Sequence, residues 1–321
     1  MRIAVTGSIA TDHLMTFPGR FAEQLLADKL DKISLSFLVE GLEIRRGGVA
    51  ANIAFGLGSL GLTPLLVGTV GRDFGEYRVW LEEHGVDTSG VRESEIHQTA
   101  RFVCTTDADH SQIASFYPGA MGEDADLDIR GLAGAVGLVL IGAGNPAAML
   151  SLTHQCRAMG MPFAADTSQQ LATLDGEQIR QLVAGAAYLF SNEYEASLTE
   201  HKTGWSAAEV VSEVGTRVTT LGSQGARVDR VGAEPVMVGP VKDVTPLDPT
   251  GSGDAFRAGF LAAVAWGLSL ERAAQLGNLV AVQALEVAGP QEYPLTRDGL
   301  AARASASYGQ GAADEIVANL P

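Results

Sequence analysis

Short apolar runs recur along this chain, and stretches with helical spacing separate several of them. Ile3 to Thr6, Leu65 to Gly68, Leu138 to Gly142, Pro162 to Asp166, Ala187 to Ser191 and Arg217 to Leu221 hold four or five residues each. Runs this short and this apolar fit strands covered on both faces, because a strand with one wet face alternates polar and apolar residues. Between them, Val49 to Leu60 has helical spacing and stops at Gly61, a helix-terminating residue. The alternation predicts an α/β fold, with a mostly parallel sheet flanked by helices on both faces.

Two segments, 14–46 and 97–118, break that rhythm and read as strands with turns. In RFVCTTDADHSQIASFYPG, Phe102, Cys104 and Thr106 fall on one face, the pattern of a small hairpin sheet. The expectation is one α/β domain over 1–321 carrying a small β lid. No internal repeat, low-complexity tract or long linker argues for a second domain.

Composition narrows the function classes. A net charge of −16 repels nucleic acid and anionic membranes, so neither is an expected partner. An anionic ligand must then be held by local donors. Cys104 and Cys156 form neither a disulfide framework nor a ligand pattern, and the N-terminal MRIAVTGSIATDHL lacks the pattern of a signal peptide. Both point to a cytoplasmic protein. No apolar run reaches membrane-spanning length. The six histidines are without H-E-x-x-H spacing, and no P-loop occurs. GLGSLG at 56–61 fits G-x-G-x-x-G but lies inside the expected helix, so it is no dinucleotide fingerprint.

The densest chemistry lies at DPTGSGDAFRAGFLAAVAWG, residues 248–267. Strand-like residues from Val241 to Val244 lead to Pro249, and Thr250, Gly251, Ser252 and Gly253 turn the chain into an apolar helix. Free amides at a helix start favour an anion, and glycines allow close approach. Asp254 among those amides is expected to stay ionised, and either accepts a proton or merely caps the helix. SNEYE, residues 191–195, places Asn192 and Glu195 three apart, the spacing of a capping box. Arg257, one turn past Asp254, either reaches a phosphate or covers the helix with its stem.

DPTGSGDAF resembles the C-terminal signature of the ribokinase-type (PfkB) carbohydrate and nucleoside kinases. GGVAANIAFGLGSLG at 47–61, followed by VGTVGRDFG at 67–75, resembles their N-terminal signature, and strand order matches over nearly the whole chain. The resemblance implies a ribokinase-like fold with Asp254 as general base. It makes the amides of Gly251, Ser252 and Gly253 an anion hole. Asn192 and Glu195 become part of a network around Mg²⁺ and phosphate, Glu195 acting through water. TLGSQG, residues 220–225, resembles a segment near the ATP phosphates and nominates Thr220, Gly222 and Gly225. Ser8, Asp12, Gly48 and Asn52 become acceptor-side residues, with Asp12 and Asn52 holding a sugar. Many family members also need or respond to K⁺, for which this chain offers no defensible motif.

SLSF at 34–37, the segment 99–121 and DTSQQL at 166–171 resemble bacterial adenosine kinases more than ribokinases or fructokinases. That likeness implies phosphorylation of the 5′-hydroxyl of adenosine by ATP, giving AMP and ADP in purine salvage. Phe102 and Phe116 would sandwich the purine, and Gln169 and Gln170 would contact the nucleoside. Ser36 and Phe37 would lie in a lid that reaches a neighbouring subunit of a homodimer. The rivals are a ribokinase-like or fructokinase-like sugar kinase, and a non-catalytic nucleoside-binding protein on this scaffold.

Overall fold

The computed structural model describes residues 1–24 and 35–321; residues 25–34, within the first of the two irregular segments, lie outside it. Its larger sheet has nine strands. From one edge they run β13 (Val236–Val238), β12 (Ala226–Asp229), β11 (Arg217–Thr220), β10 (Tyr188–Asn192) and β9 (Phe163–Asp166). Then come β8 (Leu138–Ile141), β1 (Ile3–Thr6), β4 (Leu65–Val70) and β5 (Asp87–Glu93). Seven strands, β11, β10, β9, β8, β1, β4 and β5, are parallel, and β12 and β13 add on antiparallel.

Side-chain alternation explains the layers. Ile3 and Val5 of β1 point into one core and Ala4 into the other; Leu138 and Leu140 of β8 repeat this opposite Val139 and Ile141. The first core is covered by α2 (Val49–Ser59), α3 (Gly75–Glu83), α8 (Ser252–Trp266), α9 (Leu270–Leu285), α10 (Arg297–Tyr308) and α11 (Gln310–Val317). The second is covered by α4 (Pro146–Ala158), α5 (Gly176–Val183), α6 (Glu193–Thr203) and α7 (Ala207–Glu213). Strands with both faces under helices carry no polar face, which is why their runs read as continuously apolar.

Among the described residues the smaller sheet has four strands, in the order β3 (Gly41–Gly47), β2 (Ala10–Thr16), β6 (Ala100–Thr106) and β7 (Gln112–Tyr117). It exceeds the expected hairpin: β2 pairs parallel with β6, and the outer pairs are antiparallel. It also begins at Ala10, so Asp12 belongs to a strand of this sheet. A four-residue helix, α1 (Phe21–Gln24), follows β2. Phe37 packs against Phe17 and Phe21, with ring centroids 5.0 and 4.9 Å apart, so its ring is engaged within its own chain. Val241 to Val244 form no strand; the chain from β13 to α8 is a loop. Among the described residues, no helix is long and apolar enough to cross a membrane.

Candidate active site

The parallel strands end along one edge of the large sheet, where open α/β sheets bind ligands. Asp166 ends β9, Asn192 ends β10 and pairs with Thr220 at the end of β11, and Gly7 and Ser8 follow β1. Helices α2 and α8 converge on that edge.

Small residues decide how closely those helices meet. A methyl placed on Gly56 would come within 2.6 Å of the Ala258 Cβ, so the two helices cross almost in backbone contact. One turn earlier on each helix stand Asn52 and Asp254. Asn52 Nδ2 donates to Asp254 Oδ2 at 2.9 Å. Asp254 is therefore no cap: the N-cap of α8 is Gly251, with no side-chain capping bond. Gly251 has a φ of 76°, the left-handed region, and a Cβ there would lie 2.4 Å from Pro290 Cβ. Only glycine makes this entry without strain. The Ser252 amide donates to Pro249 O at 3.2 Å. The amides of Gly251, Gly253 and Asp254 have no acceptor among the described residues, and the first-turn position of the last two on α8 explains why.

Burial pushes the Asp254 carboxyl above the ordinary carboxylate range. The nearby Arg257 guanidinium and the Asn52 hydrogen bond pull it back, and the charge of Glu195 pushes it up again. Arg257 neither reaches outward nor drapes over the helix surface. It is buried, with Nη2 2.6 Å from Oδ1 of the fully buried Asp166. Its Nη1 sits beneath Gly253, where a Cβ would be 2.8 Å away. A guanidinium thus lies directly under the turn that carries the free amides, and favours negative charge there.

Asn192 and Glu195 form the reciprocal capping box of α6: Asn192 Oδ1 accepts from Glu195 N and Glu195 Oε2 accepts from Asn192 N, both at 2.8 Å. The capping bond occupies Oε2 only. A dedicated metal cage is absent, because no group of three or more His, Cys, Asp or Glu gathers among the described residues. One half-buried carboxylate with a free oxygen fits Mg²⁺, which keeps several waters and binds few protein oxygens. Beyond Thr220, Gly222 opens a short 3-10 turn and Gly225 closes it.

The small sheet brings a row of residues across its strands. Asp12 of β2 stands opposite Arg45 of β3 and Phe102 of β6, and Phe102 stands opposite Phe116 of β7. Residues directly opposite share a face, so all four point the same way. Arg45 Nη1 reaches Asp248 Oδ2 at 3.0 Å, which ties this face to the loop leading into α8. Burial pushes the Asp12 carboxyl up, and Arg45 pulls it down. The register also corrects the picture of a sandwich: Phe102 and Phe116 lie side by side and can form only one wall.

Other expected ligand residues are engaged locally. Ser8 is buried, and its Oγ accepts from Val49 N at 2.9 Å, beside the α2 N-cap Gly48. Gln170 Nε2 donates to Gly144 O at 2.8 Å, while Gln169 is exposed with Oε1 accepting from Ser168 Oγ. Ser36 is exposed. Neither Arg45 nor Asp166 stands out in the local sequence pattern. A single arginine in the apolar face of α8 was the one available signal, since a charge there must find a buried partner.

Known proteins resemble this chain over most of its length. A nucleoside kinase of Burkholderia thailandensis, solved in complex with inosine, is 33% identical; the match covers 96% of this chain and 98% of that one, with a TM-score of 0.79. A nucleoside kinase of Methanocaldococcus jannaschii is 26% identical over 292 residues, 90% of this chain and 92% of its own. An ATP-dependent ribose-1-phosphate kinase of Halopiger xanaduensis is 31% identical over 265 residues, 80% of this chain and 85% of its own. The model of the pfkB family carbohydrate kinases matches residues 9–297. With a ribokinase-like fold and that match over most of its length, the chain belongs to the pfkB family of carbohydrate kinases.

Proposed function

We propose that this kinase transfers the γ-phosphoryl group of ATP to the 5′-hydroxyl of a purine nucleoside, with adenosine as the first candidate. The observation that carries this reading is the placement of Asp254. Its carboxyl sits at the start of α8, where the amides of Gly251, Gly253 and Asp254 have no acceptor among the described residues, on the side toward which Arg45 ties the Asp12–Phe102–Phe116 face. Nucleoside kinases stand among its relatives, and one of them is solved with inosine.

In this reading Asp12 and Asn52 hold ribose hydroxyls, and Phe102 with Phe116 forms one wall for the base. Asp254 takes the proton as the hydroxyl oxygen bonds to the γ-phosphorus and the bond to the β-phosphate oxygen breaks, giving a nucleoside monophosphate and ADP. Its raised pKa makes it a better proton acceptor than an ordinary carboxylate. The free amides of α8, with Arg257 beneath them, stabilise the spreading negative charge. Asn192, Thr220 and the 222–225 turn flank the ATP phosphates. Glu195 would hold Mg²⁺ through water, and the metal supplies charge neutralisation on the phosphate oxygens. The small sheet acts as a lid that excludes water.

A lid-to-lid homodimer belongs to the same reading. Opposite the Asp12 face, Leu42 and Ile44 are each 60% exposed and Ile113 is 46% exposed, an apolar surface that no described residue covers. Sedimentation at micromolar concentration tests it: a dimer is expected, and a monomer overturns it.

The acceptor is tested by ADP release with Mg-ATP and adenosine, inosine, guanosine, ribose or fructose offered separately. Turnover with a purine nucleoside far above the sugars is expected. Preference for a free sugar overturns the acceptor assignment. Tight nucleoside binding without turnover overturns the kinase reading in favour of a binding protein.

A further inference from the structure

The hydrogen bond from Asn52 to Asp254 is the last of a buried series. Asn52 Oδ1 accepts from Gln291 Nε2 at 2.9 Å, Gln291 Nε2 also donates to the Tyr77 hydroxyl, and the Tyr77 hydroxyl donates to Gly47 O at 2.9 Å. Asn52, Tyr77 and Gln291 are 6%, 5% and 1% exposed, so water does not substitute for any member. We propose that Gln291 and Tyr77 are positioning residues that lock the Asn52 carboxamide as a donor to Asp254 Oδ2. That leaves Oδ1 as the oxygen that takes the acceptor's proton.

The two ends of the series dictate its direction. Gly47 O can only accept, and so can an ionised Asp254. Tyr77 has one hydroxyl hydrogen and gives it to Gly47, so its oxygen must receive from Gln291. The Gln291 amide nitrogen has two hydrogens and serves Tyr77 and Asn52 together. Asn52 must then present oxygen to Gln291 and nitrogen to Asp254. This orientation leaves Gln291 Oε1 buried with no partner among the described residues, the sacrifice of one acceptor that places a donor against Asn52.

The lock matters at the moment of proton transfer. Were Asn52 free, its carboxamide could turn over when Asp254 is protonated and accept a hydrogen from Oδ2. With Gln291 in place, turning over would set two NH₂ groups against each other. Oδ2 therefore keeps its donor in both protonation states, and protonation is directed to Oδ1. Hydrogen bonds to the charged form favour it, so the series also holds the carboxyl down against the burial that pushes it up.

The inference rests on Asp254 acting as the base, so activity and titration are read separately. The test compares wild type with Gln291→Met, which keeps length and removes the donor, and with Tyr77→Phe, which removes only the hydroxyl. Each protein's kcat/KM is followed against pH with the preferred nucleoside, and the Asp254 carboxyl is titrated by ¹³C NMR. The expected result is a higher carboxyl pKa and an acid limb that moves up with it. At a pH on that limb, kcat/KM should fall about tenfold for every pH unit the limb moves, with little loss well above it. Tyr77→Phe moves both in the same direction by less. If Gln291→Met does not fold, Tyr77→Phe decides. Folded variants whose carboxyl titrates as in wild type overturn the lock, even if melting temperature or kcat falls uniformly. A moved carboxyl with an unmoved acid limb supports the lock and instead overturns Asp254 as the base.

Discussion

Arg257 and Asp166 form an ion pair inside the protein, 2.6 Å apart, with side-chain exposures of 9% and 0%. The pair joins the end of β9 to the first turns of α8 and sits beneath the loop that carries the free amides. Removing one partner of such a pair strands the other charge out of water. Asp166→Asn should therefore cost about 3–5 kcal/mol of stability, read by denaturant unfolding. A loss under about 1 kcal/mol would mean that the arginine finds another partner or water.

Asp254→Asn tests the base directly. The variant should fold and bind nucleoside, because the carboxamide keeps an oxygen for Asn52, yet ADP release should fall by roughly 10²–10⁴-fold, the range for loss of a general base. Calorimetry of nucleoside binding beside the rate assay separates lost chemistry from lost binding.

The same substitution carries a stability signature. Burial raises the folded-state pKa of Asp254 above its ordinary value of 3.8. Between those two values the folded protein binds more protons than the unfolded chain, so stability falls as pH rises through that window. Asp254→Asn removes this cost. Its stability should gain on wild type as pH rises above about 4, and the gain should vanish in acid. Paired unfolding curves across that range check the sign; a gain that grows toward acid contradicts it.

Glu195 has two roles that one substitution separates. Glu195→Gln keeps an oxygen for Asn192 N, so the capping box and the melting temperature should change little. Loss of the charge should raise the Mg²⁺ concentration needed for half-maximal rate by severalfold. Unchanged Mg²⁺ dependence would leave Glu195 a cap alone.

Phe102→Ala should raise the KM for the nucleoside by about tenfold with a smaller effect on kcat, since a ring wall contributes roughly 0.5–1.5 kcal/mol beyond its area. Phe116→Ala, at a position 51% exposed, should do the same more weakly. Equal KM values in both variants would place the base elsewhere.

Much of this architecture was legible in local pattern. The strand from Ile3 to Thr6 and the helix from Val49 lie where apolar runs and Gly61 put them, because burial on both faces demands continuous apolar residues whatever the partner. The glycine turn before Asp254 was legible too, since few other residues enter a helix at a φ of 76°. The Val241–Val244 stretch misled because an apolar pair needs a neighbouring strand to become one, and here the chain beyond β13 has none.

What the sequence by itself determined is the alternation of layers and the chemistry of one junction: a glycine turn, free amides and a carboxylate, all within a few residues. Only the tertiary structure decided what Asp254 touches. Asn52 lies 202 positions from Asp254, Gln291 lies 239 from Asn52, and Asp166 reaches Arg257 across 91. Local propensity carries no information about such partners. Asn52 and Asp254 meet because Gly56 and Ala258 let α2 and α8 approach closely enough for a hydrogen bond one turn away, a property of packing rather than of either segment.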